Sequence, residues 1–174
     1  MPAVQIAPEA PATPAPGATL RPATNPASAA NAPAALLARR YVAANHRGMP
    51  PPFGPRSFAR WMRWAWLLEG AAQYFSGQVR HVRPAVTRRL HESGTPAFPP
   101  GRRDAALLGG TVFDLLAREE GDRACVALAC GPHRDGPGGA LARAFGGRAL
   151  RHTEAAWRSH LARLGEPGGP HTRG

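Results

Sequence analysis

Lysine is absent. All 22 basic residues among the 174 are arginine, set against 11 carboxylates, for a net charge of +11. Selection for phosphate binding ordinarily recruits both cation types, so exclusive arginine beside abundant Ala, Gly and Pro points to a compositional origin for the charge. A charge of this size still attracts nucleic acid and other polyanions without sequence preference. Large apolar side chains are scarce too, and no run approaches the ~20 apolar residues of a membrane span, so no membrane association is expected. Cysteine occurs only at Cys125 and Cys130, five apart and not as CxxC. That excludes a disulfide framework or a cysteine zinc site, and leaves two buried thiols in a reducing cytosol as the expectation. The first residues, MPAVQIAPEAPATPAPG, lack the basic n-region and continuous apolar h-region of a signal peptide, so the expected location is cytoplasmic. Nor does any stretch alternate over five or more residues. The expected fold class is therefore mainly α.

What is present is one segment rich in large apolar residues, FARWMRWAWLLEGAAQYFSGQ at 58–78, which holds three of the four tryptophans. Trp61, Trp64, Leu68, Ala72 and Phe75 recur at helical spacing, and Ser57 is the expected N-cap of a central amphipathic helix. Met62, Trp66, Glu69, Gln73 and Ser76 form a neighbouring stripe, apolar at one end and polar at the other. Around this helix the chain divides into three parts. Residues 1–33, poor in charge and large apolar side chains, read as a disordered Ala/Pro-rich tail. Residues 34–164 read as one helical domain, and residues 165–174 as a second disordered tail. Within the domain, further helices are expected over 34–47, 82–92, 105–120, 123–130, 140–145 and 153–164. Asp104 is the expected cap of the fourth helix and Thr153 of the last, with MPPPFGP at 49–55 a stiff connection and 131–139 a flexible loop. Leu108, Val112, Leu115 and Leu116 make the apolar face of the 105–120 helix. Gly109 and Gly110 weaken that helix by roughly 1 kcal/mol each, which close backbone packing on the Trp-rich helix would offset.

Residues 66–74, WLLEGAAQY, resemble the WLxEGxAxY segment of gluzincin zinc metallopeptidases, in particular the bacterial peptidase-MA-like group. LLGGTVFDLLAREEG at 107–121, and ALARAFGG with AAWRSHLARL within 140–164, are similar to the helices that follow in that family. The resemblance spans roughly residues 58–164 and implies the helical C-terminal half of such a domain. It also implies that Glu69 stands at the position of the third zinc ligand. The family's HExxH motif, with two histidine ligands and the general base, is missing. The helix where it belongs reads AALLARRYVAANHRG and supplies no ligand at residues 35–39. No cofactor is therefore expected, and zinc only if histidines come from elsewhere.

The other candidates are weaker. The seven histidines are scattered, most beside an arginine, with no i, i+4 pair, and read as surface residues. Glu69 is expected to pair with Arg63 or Arg80, or to accept from Tyr41. Ser76 in FSGQ lacks the nucleophile-elbow context, and GPGGALARAFGG lacks the Lys-Ser/Thr of a phosphate loop. Three functional expectations follow. The first is a degenerate or N-terminally truncated gluzincin-like domain without catalytic activity. The second is an arginine-rich module binding nucleic acid or another polyanion through Arg39, Arg40, Arg88, Arg89, Arg102 and Arg103. The third is a helical protein-interaction domain with its partner at the Trp-rich helix.

Overall fold

The structure, a computed structural model, describes residues 32–45, 55–92, 94–131 and 133–166. Among these residues seven α-helices follow one another: α1 Ala32–Asn45, α2 Pro55–Phe75, α3 Arg83–Glu92, α4 Arg102–Glu120, α5 Asp122–Cys130, α6 Gly136–Ala144 and α7 Leu150–Gly165. A 3-10 turn, Gln78–His81, joins α2 to α3. No strand occurs among the described residues, and the fold is mainly α. The expected tails at 1–33 and 165–174 lie largely outside the described residues, as do His46, Arg47 and positions 49–54 of the proline-rich connection.

The helix starts differ from expectation in a consistent way. Ser57 is the third residue of α2, which opens at Pro55, where a missing N–H costs nothing because the first turn's amides are unpaired anyway. Asp104 lies inside α4, whose N-cap is Gly101, and Thr153 lies inside α7, whose N-cap is Ala149. Asp104 serves the tertiary structure instead: the Arg89 guanidinium donates to both carboxylate oxygens, at 2.6 and 2.8 Å. Part of the loop expected at 131–139 is helical, since α6 begins at Gly136 with Pro137 in its first turn.

The core forms where α2 crosses α4. Trp64, Ala65, Trp66, Leu67, Leu68, Ala71 and Ala72 are all buried, so the middle of α2 is covered around most of its circumference and has no single inward face. Phe75, expected inside, is exposed, and Trp61 is half-buried. The reason is that α1 packs on one side of α2 while α4 and α5 pack on others. Leu108, Val112, Leu115 and Leu116 of α4 are buried as their spacing predicts. The two glycines of α4 are explained by proximity: a Cβ on Gly109 would stand 2.6 Å from the Trp66 carbonyl oxygen, and one on Gly70 would stand 2.5 Å from the Gly109 carbonyl oxygen. Backbone meets backbone at that crossing. Farther along, Trp157 of α7 is fully buried and donates its indole N–H to Thr111 Oγ1 at 2.9 Å, anchoring α7 on α4.

Candidate functional site

The WLLEGAAQY segment occupies the C-terminal half of α2, and its polar residues point to three different helices. The Glu69 carboxylate forms an ion pair with Arg39 of α1, and not with Arg63, Arg80 or Tyr41. The partner follows from how α1 is turned. Its face toward α2 carries Ala35, Ala38 and Val42, and Arg39 shares that side, whereas Tyr41 points to solvent with 64% of its surface exposed. Gln73, buried, donates its amide N–H to the Ala106 carbonyl and accepts the Gly110 N–H at 2.9 Å. These two α4 groups sit at i and i+4, so the carboxamide engages a position where the helix would bond only to itself. A Cβ on Gly110 would stand 2.5 Å from Gln73 Oε1, which is why glycine stands there. Tyr74 donates its hydroxyl to Asp122 Oδ1 of α5 at 2.5 Å. Burial, followed by that hydrogen bond, raises the Tyr74 hydroxyl well above its ordinary pKa.

Glu69 borders a shallow groove of about 240 Å³ whose walls include Phe58, Trp61, Met62, Arg102 and Ala106. Among the described residues no histidine, cysteine or second carboxylate lines it; Arg102 does, and Glu69 itself is paired with the Arg39 guanidinium. Such a site does not fit zinc, which takes nitrogen, sulfur or carboxylate ligands and is repelled by neighbouring cations. Among the described residues, no group of three or more His, Cys, Asp or Glu side chains could hold a metal ion.

The arginines expected to meet a polyanion divide by role. Arg39 is tied to Glu69, and Arg89 to Asp104. Arg40, Arg88, Arg102 and Arg103 are exposed and enter none of the ion pairs among the described residues. The Arg89–Asp104 bridge draws the end of α3 to the start of α4, which brings the 88–89 and 102–103 pairs into one neighbourhood. The 39–40 pair lies on α1.

Two polar clusters went unforeseen. His160, expected on the surface with the other histidines, is 1% exposed, with Nε2 2.9 Å from Asp114 Oδ2. The His160 imidazole, with help from Arg118, holds the Asp114 carboxyl below the usual carboxylate range. His133 is half-buried and stacks on Trp64 at 5.4 Å, and burial lowers its pKa. No spacing in the sequence marks the His160–Asp114 or His133–Trp64 pairing, because His160 comes from α7 and Asp114 from α4, and His133 from the α5–α6 connection and Trp64 from α2. Cys125 is buried, its thiol pushed up to about 12 by burial, but Cys130 is only half-buried. Trp64 and Trp66 are buried and Trp61 half-buried, so the open apolar surface of the Trp-rich helix lies toward its two ends, at Phe58 and Phe75. Among the described residues the other large exposed apolar side chains are Leu36, Leu37 and Tyr41 of α1 and Val126 of α5.

No family model, curated protein or solved structure matches the chain. No described helix is long and apolar enough to cross a membrane.

Proposed function

We propose that the chain is a gluzincin-like helical domain that acts without a metal and without peptidase activity, in the cytoplasm. The observation that carries this reading is the partner of Glu69. Where the resemblance calls for a zinc ion between this carboxylate and the preceding helix, the preceding helix offers Arg39, a protein-borne cation. The general base is missing with HExxH, and Arg102 adds a second positive charge to the groove. Metal analysis of protein purified without chelators or a polyhistidine tag tests it. The expected result is far less than one zinc per chain and no hydrolysis of unfolded casein; one tightly held zinc that Glu69→Ala removes would overturn the reading.

A second reading, polyanion binding, is favoured by the exposed Arg88, Arg102 and Arg103 around the junction of α3 and α4. It requires duplex DNA affinity that falls steeply with salt and weakens when Arg88, Arg102 and Arg103 are replaced together by Gln. Binding that is absent at about 0.15 M salt, where the Debye length is about 8 Å, would end it.

A further inference from the structure

The inner and outer faces of α1 are the reverse of what side-chain size suggests. Alanines and Val42 face α2, whereas Leu36, Leu37 and Tyr41 are 57, 69 and 64% exposed. On a helical projection, Leu36, Leu37, Arg40 and Tyr41 share one side, with Leu37 and Tyr41 one turn apart. A guanidinium thus sits among three large apolar side chains. Scattered exposed leucines need no explanation. Three of the six large exposed hydrophobics among the described residues, gathered on one helix face, do need one.

Charge indicates what covers the face. α1 contains two arginines and no carboxylate, and its one ion pair among the described residues, Arg39–Glu69, lies on the inward side. Arg40, on the outward side, enters no ion pair among the described residues. The chain as a whole carries +11. A second copy would bring Arg40 toward its own counterpart and double the charge, so self-association on this face is opposed. An anionic lipid surface would satisfy the charge, but three apolar side chains on a 14-residue helix make a narrow ridge and not a broad insertion face. A ridge of that width fits the groove between side chains of one opposing helix.

We infer that the outward face of α1, formed by Leu36, Leu37, Arg40 and Tyr41, docks an acidic amphipathic helix of a partner protein. The partner's apolar stripe covers Leu36, Leu37 and Tyr41, and its carboxylates meet Arg40. Failure of this inference would leave the metal-free reading standing, since neither uses the other's residues.

The test uses the full chain and a fluorescein-labelled 18-residue helical peptide with leucines at i, i+3, i+4 and i+7 and glutamates elsewhere. Its controls are the same peptide with lysine for glutamate, and vesicles of phosphatidylcholine with phosphatidylserine. Fluorescence anisotropy should show saturable binding of the acidic peptide and none of the basic one. Leu37→Ser with Tyr41→Ser, and separately Arg40→Glu, should each weaken that binding at least tenfold. Arg151→Glu, an exposed position on α7, should change it less than twofold. Circular dichroism on each variant shows whether it is folded, and all these sites are exposed. Equal loss in the Arg151 variant would make the attraction general and overturn the docking site. So would vesicle binding that disappears with Leu37→Ser and Tyr41→Ser, or a sedimenting dimer abolished by the same changes.

Discussion

Glu69, Gln73 and Tyr74 each turn their polar atoms to a different neighbouring helix: Arg39 on α1, the Ala106 and Gly110 backbone on α4, and Asp122 on α5. Their energies should differ with burial. Arg39 keeps 40% of its side-chain surface exposed, so the ion pair is worth only about 0.2–1 kcal/mol. Glu69→Gln should therefore shift the urea midpoint slightly. Gln73 is buried, and Gln73→Leu removes both bonds and presses a branched side chain on Gly110. A loss of about 1–3 kcal/mol is expected in the same measurement. Cysteine reactivity offers a separate check. With its thiol pushed up to about 12 and buried, Cys125 should resist a thiol-specific disulfide reagent at pH 8 until the chain unfolds. Prompt labelling of Cys125 in the folded protein would contradict this packing.

At the scale of helices, the α2–α4 crossing and the attachment of α1 are opposite extremes. Gly109→Ala gains about 1 kcal/mol of helix propensity. The new methyl group, however, would lie 2.6 Å from the Trp66 carbonyl oxygen and 2.9 Å from the Gly70 nitrogen, both backbone atoms that cannot rotate away. Overpacking of this kind costs about 1–3 kcal/mol or more, so the variant should unfold at lower urea despite its better helix former. Helix α1 buries only Val42 fully and rests on α2 through small side chains. Its amides should exchange with deuterium well before those of α4, most of whose apolar residues are buried. Equal protection of the two helices would show that α1 opens only with the whole fold.

For the molecule as a whole, acid sensitivity has an identifiable contributor. Asp114 is faced by His160 from α7, Arg118 from its own helix, and Asp122 with Arg80 across a cleft of about 370 Å³. Its carboxyl is held below the unfolded value of about 3.9, so its contribution to stability is present above that pH. As pH falls further, through the folded value, that contribution is lost. Asp114→Asn should lower stability at neutral pH and flatten the decline below about pH 4, measured as the thermal midpoint against pH. The net charge sets a second whole-molecule property. A charge of +11 attracts polyanions without sequence preference, and any such attraction weakens steeply as salt rises.

Helical periodicity was enough to establish the class of fold, the central place of the Trp-rich helix and the buried face of α4, because those depend on local propensity and on where apolar residues recur. The Gly109–Gly110 pair also signalled a close backbone approach, since nothing else offsets two glycines within a helix. Other features were decided only by tertiary structure. Asp104 and Thr153 suit helix caps by type, yet one is committed to Arg89 and the other is a buried residue inside α7. Glu69 could have met any of several arginines, and the partner was selected by which face of α1 rests on α2. That face was itself illegible: Leu36, Leu37 and Tyr41 have the size of core residues, but alanine lets two helix backbones approach closely, and the larger side chains were turned outward. Side-chain type determines what a residue is able to do. Which of its options it takes depends on the helices that arrive beside it.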